Sequence, residues 1–259
     1  MKHKEISDMA SSSLSISEET LSILNNLSTI NQGIVIKKGS EFSTISEGKN
    51  ILARASVDEK FPCDFAIYQL NEFLSAVSLL EEPEFHFNES SVKINAGNAR
   101  HSVSYGYADP TLVTQPPNGG MVNFPDEGDV EFEIKKDDLK TLLKASGAMH
   151  LPHICVQTTD TRHDKSGLIL AVTDKENPKA SNAFELELDE KDVSFSREFC
   201  KATDLFENYG MTFKVDNIIL FPGDYTVKIS NKGIGHFVNK EVDVEYWISA
   251  EHKYSTISE

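Results

Sequence analysis

The chain repeats itself once, over a distance that fixes its gross architecture. Leu14-Ser15-Ile16-Ser17-Glu18-Glu19-Thr20-Leu21 returns as Phe132-Glu133-Ile134-Lys135-Lys136-Asp137-Asp138-Leu139, an offset of 118 residues from 14 to 132. In each copy two apolar residues at alternate positions run into an acidic or hydroxylic cluster. Leucines at i and i+3 follow, Leu21 and Leu24 in one copy and Leu139 and Leu142 in the other, which is the pattern of a strand entering a helix. Gly33-Ile34-Val35-Ile36 and His153-Ile154-Cys155-Val156 then supply a strand after each helix. A period this long excludes a solenoid of short repeats and predicts two similar domains. The length of 259 residues accommodates both without staples.

Cys63, Cys155 and Cys200 are an odd number in apolar or mixed sequence, which suits small core residues in a reducing compartment better than a disulfide framework. No apolar run approaches the roughly 20 residues that span a bilayer, and Met1-Lys2-His3-Lys4 leads into no signal-peptide core. A soluble, cytosolic protein is expected. The formal charge of −16 by itself argues against nucleic acid, because phosphate binding relies on cationic side chains that displace counterions. Net charge does not describe a local surface, however, and an acidic exterior is compatible with one basic stripe.

Three segments carry helical patterns. Ser17 caps a helix over about 18–28, whose apolar positions are Leu21, Leu24 and Leu27. A second runs over about 68–80 with Leu70, Phe73, Leu74 and Val77 at i, i+3, i+4 and i+7, and a third over about 136–146. Strands are read at 34–37, 51–57, 84–88, 91–95, 100–105, 130–134, 225–229 and 242–250. Part of the charged stretch 179–199 is assigned to loops. Proline and glycine crowd 108–129, so the domains are read as 1–107 and 130–259 with 108–129 as the connector.

Chemistry-bearing motifs are sparse. His150, His153 and Cys155 place three potential metal ligands within six residues, but Pro152 interrupts them and Cys155 sits in an apolar strand pattern, so no metal or other cofactor is assigned. Neither a nucleophile elbow, a phosphate loop nor a dinucleotide fingerprint is present in the sequence, and no catalytic residues are assigned. Asp137 and Asp138 stand where a helix N-terminus favours carboxylates. Lys136, Lys140 and Lys144 recur every four residues beside the leucine stripe; they read either as a ridge for a polyanion or as solvated lysines that flank a buried face.

Thr29-Ile30-Asn31-Gln32-Gly33-Ile34, Phe65-Ala66-Ile67-Tyr68-Gln69-Leu70-Asn71-Glu72-Phe73-Leu74 and Ala108-Asp109-Pro110 resemble the sliding clamps of T-even-type bacteriophages. The helix opening Lys136-Asp137-Asp138-Leu139 and the turn Pro222-Gly223-Asp224-Tyr225 extend the resemblance, which fades over about 160–208, where this chain is longer. The resemblance implies an α+β DNA clamp fold: two similar β-rich domains per subunit, with helices lining the central hole of a trimeric ring. It implies a non-enzymatic processivity factor that encircles duplex DNA without reading sequence, tethers the replicative DNA polymerase and is loaded by a clamp loader ATPase. In some relatives the clamp also activates transcription through RNA polymerase-associated factors. The place of action would be the cytoplasm of the infected bacterial host. On this reading Lys136, Lys140 and Lys144 face DNA, and the other helices, near Glu18, Tyr68 and Val215, offer almost no cation, with Asn25, Asn26, Asn71 and Ser75 as their polar residues. Trp247, left on the polar face of the last strand, and the connector residues Val113, Met121 and Phe124 are the candidates for partner binding, each with packing as its other reading. The alternative is a non-enzymatic two-domain β-rich structural or interaction protein of a viral assembly.

Overall fold

The computed structural model describes residues 13–98, 100–117, 130–158, 167–195, 210–230 and 232–255. Two compact units divide the chain, Met1–Met121 and Val122–Glu259. No helix among the described residues is long and apolar enough to cross a membrane.

The first unit runs β1 (Ser13–Ser15), α1 (Glu18–Ile30), β2 (Ile34–Ile36), β3 (Gly39–Ile45), β4 (Ile51–Phe61), β5 (Phe65–Ile67), α2 (Leu70–Val77), β6 (Glu84–Phe87), β7 (Ser91–Asn95) and β8 (Ser102–Gly106). The second runs β9 (Val130–Ile134), α3 (Lys136–Met149), β10 (His153–Thr158), β11 (Leu168–Thr173), β12 (Ala183–Leu188), β13 (Val193–Phe195), β14 (Gly210–Lys214), β15 (Tyr225–Ser230), β16 (Ile234–Asn239) and β17 (Val244–Ser249). The pairings repeat as well as the order. β1 pairs β6, β6 pairs β7 and β7 pairs β8, as β9 pairs β15, β15 pairs β16 and β16 pairs β17, all antiparallel. Likewise β2 pairs β5 as β10 pairs β14, and β3 pairs β4 as β11 pairs β12. The echo in the sequence is thus a duplicated topology.

Local chemistry sets the helix ends. Ser17 accepts a hydrogen bond from the Thr20 N–H at 3.2 Å, and Glu18 and Glu19 occupy the positive end of α1. Leu139, Leu142 and Ser146 form the buried face of α3, which packs on β11 and β12, while Ile23, Leu24 and Leu27 do the same work in α1. α3 has no side-chain cap of its own; Asp224, from the turn before β15, accepts the Lys136 N–H at 2.9 Å and pairs with Lys135 Nζ at 3.0 Å. It ends at His150, in the left-handed region at φ 54°, where the Leu151 N–H returns to the Ser146 carbonyl.

Several expectations need correction. The second helix is shorter than 68–80: its last turn tightens to bonds from the Leu79 and Leu80 N–H groups to the carbonyls of Ala76 and Val77, and Glu82 has a φ of 48°. The expected helix near Val215 is a single 3-10 turn, Val215–Asn217. Part of the charged stretch 179–199 is loop, as expected, at 179–182 and 189–192, and it also holds two strands absent from the expected set, β12 and β13; in β12 Leu186 and Leu188 alternate with exposed Glu185 and Glu187 along an edge. The extra length of the second copy falls between β10 and β14, where residues 153 to 210 replace the much shorter interval from 34 to 65.

Leu24 and Leu142 are 1% and 0% exposed. Replacing either with alanine removes buried apolar volume and leaves a cavity, so Leu24→Ala and Leu142→Ala should each lower stability by about 2–5 kcal/mol. Urea titration of the single and double variants checks this, and near-additive losses are expected for residues in separate units.

Candidate functional site

The basic ridge begins from the geometry of one helix. Residues four apart share a helix face, and Lys136, Lys140 and Lys144 are all exposed along α3 with no ion pair to a described residue. Leu139 is 9% exposed and Leu143 half-buried, so the ammonium groups border apolar surface. Asp224 holds the start of the helix in place. Hydrogen bonds from the Lys136 N–H and Lys135 lower its carboxyl below the usual range, so it is ionised at neutral pH and opposes the positive end of α3.

The polar residues of the other two helices lie together in the first unit. Ser28 Oγ stands 2.6 Å from both the Asn25 carbonyl and Asn71 Oδ1, which joins α1 to α2. Asn25, Asn71 and Ser75 are exposed and Asn26 is half-buried; Ser75 Oγ donates to the Asn71 carbonyl at 2.7 Å. The structure therefore brings Asn25 and Asn71 to one seam and the three lysines to one ridge.

The partner-binding candidates fare differently. Trp247 is only 8% exposed, because its register partner His236 stacks flat on the indole at 4.7 Å between ring centroids and 5° between planes. His236 is held there by Glu245 at 2.9 Å. Alternation does put Trp247 on the Glu245 face, but the neighbouring strand covers it, so it is not an exposed anchor. Val113 is also buried, in a cluster with Val35 and Ala66, and its methyls lie 3.1 and 3.2 Å from where a Cβ on Gly33 would stand. It is packing that docks residues 108–115 on the first unit, helped by the Ala108 N–H to the Ala66 carbonyl and Asn31 Nδ2 to the Thr114 carbonyl. Met121 and Phe124 lie outside the described residues.

The three potential metal ligands have separate environments. His150 ends α3 and is exposed. His153 Nδ1 accepts the Lys175 N–H at 3.2 Å, with Tyr254 edge-on at 5.1 Å, and Cys155 lies 3.5 Å from Thr212 Oγ1. Among the described residues no group of three His, Cys, Asp or Glu side chains is placed to hold a metal.

Two concave surfaces add to what the sequence suggests. One of about 220 Å³ lies between the start of the connector and β2 and β3, with Ile34, Phe42, Arg54, Thr114 and Pro116 among its walls. The other, of about 640 Å³, has the lysine ridge along one side and Ile218, Leu220, Phe221 and Pro222 along the other. The run Ile218-Ile219-Leu220-Phe221 before Pro222-Gly223 is the available signal for the second.

The family model for DNA polymerase processivity factors matches residues 17–112, and that described as gp45 sliding clamp, C terminal, matches 131–252. A sliding clamp of Vibrio phage KVP40 is 32% identical over 240 residues, covering 92% of this chain and 99% of that protein. The sliding clamp of Enterobacteria phage T4 is 31% identical over 143 residues, covering 55% of this chain and 61% of that one. Among solved structures, A. fulgidus PCNA bound to the C-terminal region of FEN-1 superposes with a TM-score of 0.65 at 10% identity, over 92% of this chain and 97% of that one, a likeness of fold.

Burial holds the His153 ring below its ordinary pKa, against the opposing pull of Asp174, Glu176 and Glu251. A histidine whose folded value is lowered favours unfolding when protonated. Stability is then complete above its unfolded value near ~6.5 and falls as pH drops below it. Urea midpoints between pH 7.5 and 5.5 should fall more for the native chain than for His153→Gln.

Proposed function

Because the chain belongs to the sliding-clamp family, the DNA polymerase processivity factors of T-even-type bacteriophages, we propose that it encircles duplex DNA as a homotrimeric ring and works without catalysis. The observation that carries the DNA contact is the ridge of Lys136, Lys140 and Lys144, three exposed cations on one face of one helix in a chain of formal charge −16. Such a ridge attracts phosphates without reading bases, and phosphate contacts position a protein without fixing its sequence register. Asn25, Asn26, Asn71 and Ser75 add a polar surface with no cation, which limits the grip and favours sliding.

Closure into a ring is supported by two sheet edges of complementary chemistry. β8 ends the order β1-β6-β7-β8 and follows exposed Arg100 and His101; β12 ends the order β12-β11-β10-β14 and carries exposed Glu185 and Glu187. Pairing β8 of one copy with β12 of the next satisfies both rows of backbone groups, and a heterologous contact of this kind closes into a ring when the rotation permits.

A closed ring has to be opened to admit DNA without ends, which calls for a clamp loader ATPase. The replicative DNA polymerase is the principal partner, RNA polymerase-associated factors are a further one, and the cytoplasm of the infected host is the place of action. With Trp247 covered, the small cavity beside Thr114 and Pro116 is the better seat for a partner's tail, which would insert apolar side chains there.

The test is retention of the loaded protein on closed circular duplex and its loss once the circle is cut. Equal retention on linear DNA would exclude encirclement. The Lys140→Ala, Lys144→Ala pair should reduce polymerase stimulation several-fold and flatten the log–log salt dependence by about 0.9 for each phosphate that is no longer neutralised.

A further inference from the structure

The two copies of the fold part company at one connection. In the first unit, residues 68–83 join β5 to β6, and they are enough to build α2, which lies against α1 with Leu70, Phe73 and Val77 buried. In the second, the shorter segment 215–224 makes the same join between β14 and β15; it forms the Val215–Asn217 turn and then runs without a helix to Asp224. Among the described residues the flank of α3 is left open as a groove of about 640 Å³, with Leu139, Leu143, Ile218, Leu220 and Phe221 in its walls.

That groove is preformed. Two buried tyrosines clamp the backbone of its far wall: the Phe221 N–H donates to Tyr246 Oη at 3.0 Å, and Tyr225 Oη donates to the Phe221 carbonyl. At its end, a side chain on Gly223 would put a Cβ within 3.0 Å of the Asn239 amide, so a larger residue would have to displace Asn239, whose Oδ1 accepts the Glu241 and Val242 N–H groups. The rim is cationic over two turns, since Lys136 and Lys144 are eight residues and about 12 Å apart along the axis. Among the described residues no carboxylate lines it.

We propose that this groove docks an acidic amphipathic helix of about two turns from a partner protein, seated in the second unit where α2 sits in the first. The shape is set by the duplication, because α2 is the element that covers this position when the chain supplies its own. The charge is set by the rim: carboxylates at i and i+4 of the docked helix match the spacing of the lysines, and its leucines meet Leu143 and Phe221. The segment that fills the first unit is acidic too, with Glu72 in α2, Glu81 and Glu82 after its end, and no lysine or arginine between 68 and 82. The inference goes beyond the clamp reading but shares its lysines, so helix docking and DNA contact exclude one another at this face.

The probe is a fluorescent, helix-stapled peptide with the sequence of residues 68–82, titrated with the full chain and read by anisotropy. Saturable binding is expected, weakened about tenfold by Phe221→Ala, by Leu143→Ala or by the Lys140→Glu, Lys144→Glu pair, and displaced by a duplex oligonucleotide. Circular dichroism establishes that each variant is folded. No saturation at ~100 µM chain, or binding that neither apolar variant weakens, would overturn the proposal. Phe221→Ala should leave retention on circular DNA intact while the lysine pair lowers both. Loss of circle-dependent retention with peptide binding preserved would count against the ring and leave the groove standing.

Discussion

Everything in this molecule is arranged around a helix that must bury one leucine stripe against a sheet, once in each unit. Leu142 is the most enclosed member of one stripe, and Ile23, Leu24 and Leu27 are equally enclosed in the other. An amphipathic helix of 13 or 14 residues is marginal alone in water, so its outer face is free to vary only because the inner face is fixed by packing. That division of labour lets one copy expose asparagine and serine and the other lysine, with no change of fold.

The consequence for function is electrostatic. A chain with formal charge −16 carries a net repulsion for a polyanion, and on the proposed reading the lysines that recur every four residues along α3 offset it locally. Weak, sequence-independent phosphate contact suits a protein whose hold on DNA comes from topology. On that reading a tight cationic grip would arrest a ring at one register, whereas three lysines on one helix would attract without locking.

Much of this was legible from the sequence. The duplication at 118 residues, the capping acids and the 3.6-residue periodicity of α1 and α3 are local signals, and the structure follows them closely. What could not be read depends on tertiary neighbours. Trp247 alternates onto a polar face, but whether it is exposed is decided by His236 on the adjacent strand, 11 positions earlier in the chain (236 and 247). Val113 looks like connector surface until Val35 and Ala66 are brought beneath it. The apolar run 218–221 has the composition of a buried helix, but it stands in a join of ten residues, 215–224, that ends in Pro222-Gly223-Asp224 and forms only one 3-10 turn. β12 was obscured by glutamates that an edge strand tolerates on its solvent side.

The ring is the claim on which the functional account turns, and its most direct test is native mass by light scattering over a concentration series reaching ~50 µM, so that a weak assembly is populated. The account predicts a mass near three times 28.8 kDa at the upper end of the series. A mass of 28.8 kDa at every concentration would contradict it.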